Sequence, residues 1–209
     1  ENLDVDIEYV RAEDYFKIKS KNLFLKLLLT IVKWIFSPLI YFIDNDVYFH
    51  RRKGLVDASG NEYKDNDERC IFFARGTLET VKKLRWTPNV IYCSGWMSAL
   101  IGLYAKKAYA DTPFFENTKV ILSLDDQEYN TPFGTKFAEK LLIDGMLQSD
   151  VRSVAGLPIG YEDLMRLAID NADALVMSSP TVNQRLCNYA QNSGKVILPY
   201  SEETYKEEL

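Results

Sequence analysis

Between Val90 and Leu198 short unbroken apolar runs alternate with segments of helical period, and this alternation restricts the possible folds of the 209-residue chain more than any other feature. Val90-Ile91-Tyr92-Cys93, Val120 to Leu124, Ala174 to Met177 and Val196 to Leu198 are too short for helices and each is bounded by polar turn residues, which marks them as strands. Continuous apolar strands between amphipathic helices are the signature of a parallel sheet covered on both faces. The expectation is a doubly wound α/β fold, its sheet mostly parallel, with residues 89–94, 119–124, 174–178 and 195–198 as parallel neighbours.

The intervening segments carry helix signals. Asp65 followed by Glu68 has the spacing of a capping box, and Ile71, Phe72, Leu78, Val81 and Leu84 recur at helical spacing, so a helix is expected from about Asn66 to Leu84. Further helices are expected from Trp96 to about Tyr109, near Lys136 to Ile143, from Tyr161 to Ile169, and through Thr181 to Ala190 before the Ser193-Gly194 stop. Upstream, Leu3, Val5, Ile7 and Tyr9 alternate as in a half-buried strand, and Leu39 to Ile43 reads as a buried strand ending at Asp44. Residues 45–64 form a loop with turn signals at Lys53-Gly54 and Ser59-Gly60-Asn61, and the charged stretch Glu202 to Leu209 reads as a surface helix. No linker composition divides the chain, so residues 1–209 are expected to form one domain.

The apolar stretch Leu23 to Ile43 is interrupted by Lys26 and Lys33 and broken by Pro38, which excludes a transmembrane span. Core elements suit it, as does, with Lys17, Lys19 and Lys21 upstream, a basic amphipathic helix on a membrane surface. A formal net charge of −5 argues against nucleic acid as partner. Three cysteines without a CxxC pair indicate neither a disulfide framework nor a zinc knuckle, and point to a reducing cytoplasm. His50 is the single histidine, which removes every scheme that needs two imidazoles.

Ligands of open parallel sheets bind beyond the carboxyl ends of the strands, where loops converge and helix N-termini present free N–H groups. The residues just after the strands are therefore the candidates: Asp44, Ser94 with Gly95, Asp125 with Asp126 and Glu128, and Ser178 with Ser179. Gly95 would let a ligand approach the backbone, and Trp96, if exposed, could stack on a sugar ring; a turn glycine and a core tryptophan fit the same residues. Asp125, Asp126 and Glu128 could accept sugar hydroxyls, act as acid and base, bind a hard cation, or be solvated loop acids. Asp44-Asn45-Asp46 matches a short Asp-x-Asp pattern that arises often by chance, and neither a dinucleotide fingerprint nor a phosphate loop is present. A phospho-acceptor receiver is excluded because Leu198-Pro199-Tyr200 stands where its lysine is needed.

Several blocks taken together resemble the amino-terminal domain of bacterial glycogen and starch synthases. They are Tyr41-Phe42-Ile43-Asp44-Asn45, Tyr63 to Arg69 with Phe72-Phe73-Ala74-Arg75, Pro88 to Trp96, Tyr109 to Phe115, Lys119 to Ser123, Tyr129 and Ser179-Pro180-Thr181, covering about residues 39–191. The chain is similar to the short glycogen-synthase-like proteins of the Bacteroides group. The resemblance implies half of a two-domain GT-B glycosyltransferase, glucose transfer from a nucleotide-glucose to an α-1,4-glucan, and neither metal nor cofactor. It implies an α-glucan surface at Ser94, Gly95, Trp96, Asp125, Asp126 and Tyr129, with nucleotide-sugar bound only alongside a donor domain that is not in this sequence. The family's Lys-x-Gly-Gly-Leu loop is absent, and two family histidines are Ser94 and Asp125 here. Weak or no turnover is expected of the isolated chain, and a non-catalytic glucan-binding or regulatory protein is the alternative.

Overall fold

The computed structural model describes residues 6–11, 39–49 and 54–202. The chain divides into two compact units, Glu1–His50 and Arg51–Leu209. In the first, β1 (Asp6–Arg11) and β2 (Leu39–Asp44) pair antiparallel, with Asp6 opposite Asp44 and Arg11 opposite Leu39. The apolar residues between Leu23 and Pro38, the basic residues before them and His50 lie outside the described residues. Only Glu202 of the expected terminal helix is described.

The second unit holds a four-stranded sheet in the order β3 (Val90–Ser94), β4 (Lys119–Leu124), β5 (Ala174–Met177), β6 (Val196–Leu198), every pair parallel. The expected parallel neighbours are all present. The helices are α1 (Asn66–Lys83), α2 (Ile101–Lys106), α3 (Phe137–Leu141), α4 (Tyr161–Asp170) and α5 (Gln184–Asn192).

Three local expectations are corrected. Asp65 precedes α1 without a side-chain cap, and Glu68 instead accepts from Lys140 Nζ at 2.8 Å, so no capping box forms. The expected helix from Trp96 breaks into a 3₁₀ turn, Trp96–Ser98, followed by α2; Ser98 Oγ donates back to the carbonyls of Ser94 and Gly95, and such back-bonding competes with a regular helix. The last helix starts at Gln184 because Asn183 Oδ1 accepts from the N–H groups of Arg185 and Leu186, which fixes Asn183 as its N-cap. A 3₁₀ segment, Gln148–Val154, was not foreseen; its buried Val151 and Val154 stand three apart, the repeat of that helix.

The two sheet faces are unlike. Cys93, Val120, Leu122, Leu124 and Leu175 alternate to one face and join a core built from Cys70, Ala74, Leu78, Leu103, Phe137, Leu164 and Leu186 of the helices. Gly102 permits the closest approach in that layer: a Cβ there would stand 2.9 Å from the Asn171 carbonyl oxygen and 3.3 Å from Val120 Cγ1. The other face carries Val90, Tyr92, Val196 and Leu198, exposed by 50%, 55%, 76% and 55%. These four stand on the edge strands; on the same side of the inner strands Ile121, Ala174 and Val176 are half-buried and Ser123 is buried, so exposure on that face is confined to the sheet's edges.

The second unit also holds the three cysteines, all reduced: Cys70 and Cys93 are buried and Cys187 is half-buried. Burial pushes the Cys93 thiol up to about 12 despite a hydrogen bond from Ser98. Burial, with Asp67 nearby, raises Cys70 further.

Candidate functional site

The carboxyl edge of the sheet is shaped by one backbone conformation. Gly95, directly after β3, has φ 74° and ψ 158°, a region that side chains exclude, and it turns the chain from strand into the Trp96–Ser98 turn. A Cβ at Gly95 would meet only one atom within 4 Å, Asp125 Oδ2 at 3.8 Å. Ser94 stands in register with Ser123, so the ends of β3 and β4 place Ser94, Gly95 and Asp125 together. Ser94 is exposed, whereas the Ser123 hydroxyl is buried and lacks a hydrogen-bond partner among the described residues.

Adjacent aspartates at the end of β4 are driven apart in acidity. Burial raises Asp125 above the ordinary carboxylate range, opposed by the Gln127 N–H and reinforced by the charge on Asp126. Asp126 is held below that range by the hydroxyls of Thr181 and Ser179, which donate at 2.7 and 3.1 Å. Asp126 is thus tied to the Ser179-Thr181 loop, while Asp125 faces Gly95.

Trp96 and Tyr129 reach the same edge from below. Trp96 is 3% exposed and Tyr129 5%, so of the two readings of Trp96 the core tryptophan holds and a ring open to a sugar does not. They belong to an aromatic cluster: Trp96 and Tyr129 meet edge-on at 5.1 Å, Tyr129 stacks on Phe133 at 4.5 Å, and Tyr161 meets Tyr129 at 5.9 Å. Tyr129 also donates its hydroxyl to the Ile159 carbonyl at 3.0 Å. Burial of such rings stabilises the floor on which the loops rest, each pair contributing about 0.5–1.5 kcal/mol beyond area alone.

Other nominated residues hold the loops. Ser178 Oγ donates to the Leu124 carbonyl, tying the end of β5 to that of β4. Glu128 accepts from Asn183 Nδ2 at 3.1 Å, and Asn183 thereby joins the β4 loop to α5 while capping it. Asn45 in the first unit accepts from the N–H groups of Val47 and Tyr48, an Asx turn that accounts for the Asp44-Asn45-Asp46 pattern without a ligand. No group of three His, Cys, Asp or Glu side chains is placed to hold a metal ion among the described residues.

Residues that the sequence did not nominate for the site complete the frame. Glu62 accepts from the N–H groups of Asn130 and Thr131, both at 2.7 Å, and clamps the loop after Tyr129; these donors hold its carboxyl low although burial opposes ionisation. Arg69 is 2% exposed, donates to Asn66 Oδ1 at 2.7 Å and the Gly54 carbonyl at 2.8 Å, and lies over the Tyr63 ring. Thr181 binds Asp126, and Tyr161 donates to the Asp125 carbonyl at 3.5 Å. A serine or threonine one or two residues beyond a strand-end pair was the available signal for Thr181; nothing in the sequence marks Glu62.

A parallel sheet with a glycine-built carboxyl edge defines a Rossmann-like α/β protein. A family model described as the starch synthase catalytic domain matches residues 11–196, and the chain belongs to that family. The chain is 34% identical over 143 residues to a glycogen synthase of Chlorobium luteolum, covering 66% of this chain and 28% of the relative. It is 33% identical over 153 residues to one of Geotalea uraniireducens, covering 73% and 30%. The catalytic domain of starch synthase IV from Arabidopsis thaliana, solved with ADP and acarbose, shares the fold at a TM-score of 0.58 and 16% identity, covering 77% of this chain and 34% of that one. The chain therefore spans less than a third of the length of these two curated relatives. Among the described residues no helix is long and apolar enough to cross a membrane.

Proposed function

We propose that this chain is the acceptor-side portion of a glycogen or starch synthase-type glycosyltransferase and holds α-glucan at Ser94, Gly95, Asp125 and Asp126, with Trp96 and Tyr129 as the buried floor. The observation that carries the reading is the gap at Gly95, where bare backbone faces Asp125 Oδ2 across the ends of two adjacent strands. A neutral polyhydroxyl ligand suits it, because the carboxylates of Asp125 and Asp126 can accept sugar hydroxyls. Glucose transfer from a nucleotide-glucose would need donor-binding groups from outside these residues, with the cytoplasm as the setting and no cofactor. Kinship with the short glycogen-synthase-like proteins of the Bacteroides group is part of the same reading, as is treatment of residues 1–209 as one functional module.

The test is a titration of maltoheptaose into the whole chain by NMR, with Asp125→Ala and Ser94→Val as variants and circular dichroism as the folding control. Weak binding that is insensitive to salt is expected, since neutral glucan contacts release no counterions, and each variant should weaken it several-fold. Unchanged affinity in folded variants moves the site elsewhere. Nucleotide release from ADP-glucose with glycogen present is expected to stay at background, and sustained protein-dependent release would show that the chain carries its own chemistry.

A further inference from the structure

Between α3 and the 3₁₀ segment Gln148–Val154 lies a cavity of about 400 Å³, within the size range of small-molecule sites. Its walls follow the two helical repeats. Thr135, Ala138, Glu139 and Leu142 stand at i, i+3, i+4 and i+7, one stripe along α3 and its flanking turns, while Ser149, Arg152 and Ala155 stand three apart, the row that a 3₁₀ repeat brings into line. Both walls are anchored elsewhere. Lys140 ties α3 to Asp67 and Glu68 of α1 at 2.6 and 2.8 Å, and Asp150 ties the 3₁₀ segment to the Leu147 N–H at 2.8 Å and to Lys107 at 3.3 Å. Small side chains face the gap, and Leu147 and Leu157, which bound the second wall, stay 67% and 65% exposed and leave it unfilled.

The chemistry of the lining narrows the occupant. Buried Ala138 and Val151 and half-buried Leu142 supply apolar surface. Glu139 and Arg152 line the same cavity with opposite charges, yet neither forms an ion pair with the other or with any other described residue. A second cavity of about 640 Å³ shares Ser149 and Arg152, but its carboxylates already have partners: Asp150 pairs with Lys107, and Asp170 accepts from Tyr189 at 2.8 Å. Among the described residues no aromatic ring lines the first cavity, so it lacks the stacking face that a sugar uses. Glu139 would repel a phosphate or a simple carboxylate, and Arg152 a simple amine. A ligand that carries both charges beside an apolar body meets all of these groups.

We propose that this cavity binds a small zwitterion with an apolar side chain, of the class of the aliphatic α-amino acids. The ligand carboxylate pairs with the Arg152 guanidinium, whose planar fork suits it, and the ligand ammonium pairs with Glu139. The aliphatic side chain lies against Ala138, Leu142 and Val151. None of the lining residues belongs to the carboxyl edge of the sheet, so the inference stands apart from the proposed function.

The probe is L-leucine, titrated by NMR into the whole chain beside 4-methylpentanoate, which lacks the amine, and 3-methylbutylamine, which lacks the carboxylate. Leucine is expected to bind with a Kd of about 1 mM and to shift the methyl signals of Ala138 and Val151, and each analogue should bind about fivefold more weakly. Arg152→Gln and Glu139→Gln, both at exposed positions, should each weaken leucine by a similar factor with circular dichroism unchanged. The pairing is specific: in Glu139→Gln leucine should bind no better than 4-methylpentanoate, and in Arg152→Gln no better than 3-methylbutylamine. No saturable leucine binding up to about 20 mM, well above that Kd, overturns the proposal. An analogue that matches leucine on the unaltered chain overturns the zwitterion, and unchanged affinity in either folded variant overturns the placement. Shifts of the same methyls by maltoheptaose in place of leucine would assign the cavity to glucan and overturn the ligand class.

Discussion

The two faces of the parallel sheet are written in the same residue types and meet opposite fates. Leu122, Leu124 and Leu175 vanish beneath the helices, while Val90, Tyr92, Val196 and Leu198, one position out of phase, stay in solvent. Strand composition therefore reports that a sheet can be buried on both sides, whereas place in the sheet decides how far, the exposed residues standing on the edge strands β3 and β6.

The largest contrast should appear on truncation. Leu124→Ala, at a fully buried position, is expected to destabilise the second unit by about 2–5 kcal/mol, whereas Val196→Ala should fall within about 0.5 kcal/mol; urea unfolding of both variants measures the difference. Equal losses would show that the exposed face is covered in solution. Next comes Gly102→Ala, whose new methyl meets the Asn171 carbonyl oxygen at 2.9 Å: a loss of about 1–3 kcal/mol is expected, and a neutral result would mean that the helix layer slides.

Acid should act on the covered side and its loops. Glu62 and Asp173 have carboxyls held below their ordinary values, in each case against burial, by N–H donors of Asn130 and Thr131 and by Val120 N–H with Lys106 respectively. Their contribution is complete above the ordinary carboxylate range and is lost as pH falls through the lowered values. Thermal unfolding between neutral pH and about pH 3 should show a falling midpoint, flattened in Glu62→Gln. Asp125 carries the opposite sign: its raised carboxyl costs stability above the carboxylate range and relaxes on protonation. Asp125→Asn should raise the neutral-pH melting temperature by no more than about 2 °C while weakening maltoheptaose binding, the pattern of a group kept at a cost to the fold.

Long-period features were legible before any coordinates. Four strands, their parallel pairing and the helix from Asn66 follow from apolar spacing, because burial enforces that spacing directly. Local polar choices were less so. Asp65 and Glu68 have capping-box spacing, yet Lys140, seventy-two positions from Glu68, supplies its partner. Among the candidate residues, the nearness of Gly95 to Asp125 was legible from their place after strands, whereas the depth of Trp96 depends on Tyr129 and Phe133 packing over it, a contact no window of sequence contains. Glu62 was invisible for the same reason: its donors lie sixty-eight and sixty-nine residues away.

The cysteines carry a practical consequence. Thiol reagents attack the thiolate, and burial withholds it at Cys70 and Cys93 by raising both thiols and closing access. Cys187, half-buried on α5, is left as the position a maleimide dye can reach in the folded second unit. The chain thus comes with one native attachment point. A fluorophore there reports on α5, whose cap Asn183 is bonded to Glu128 of the loop that carries Asp125 and Asp126, so the probe senses the carboxyl edge without any engineered residue.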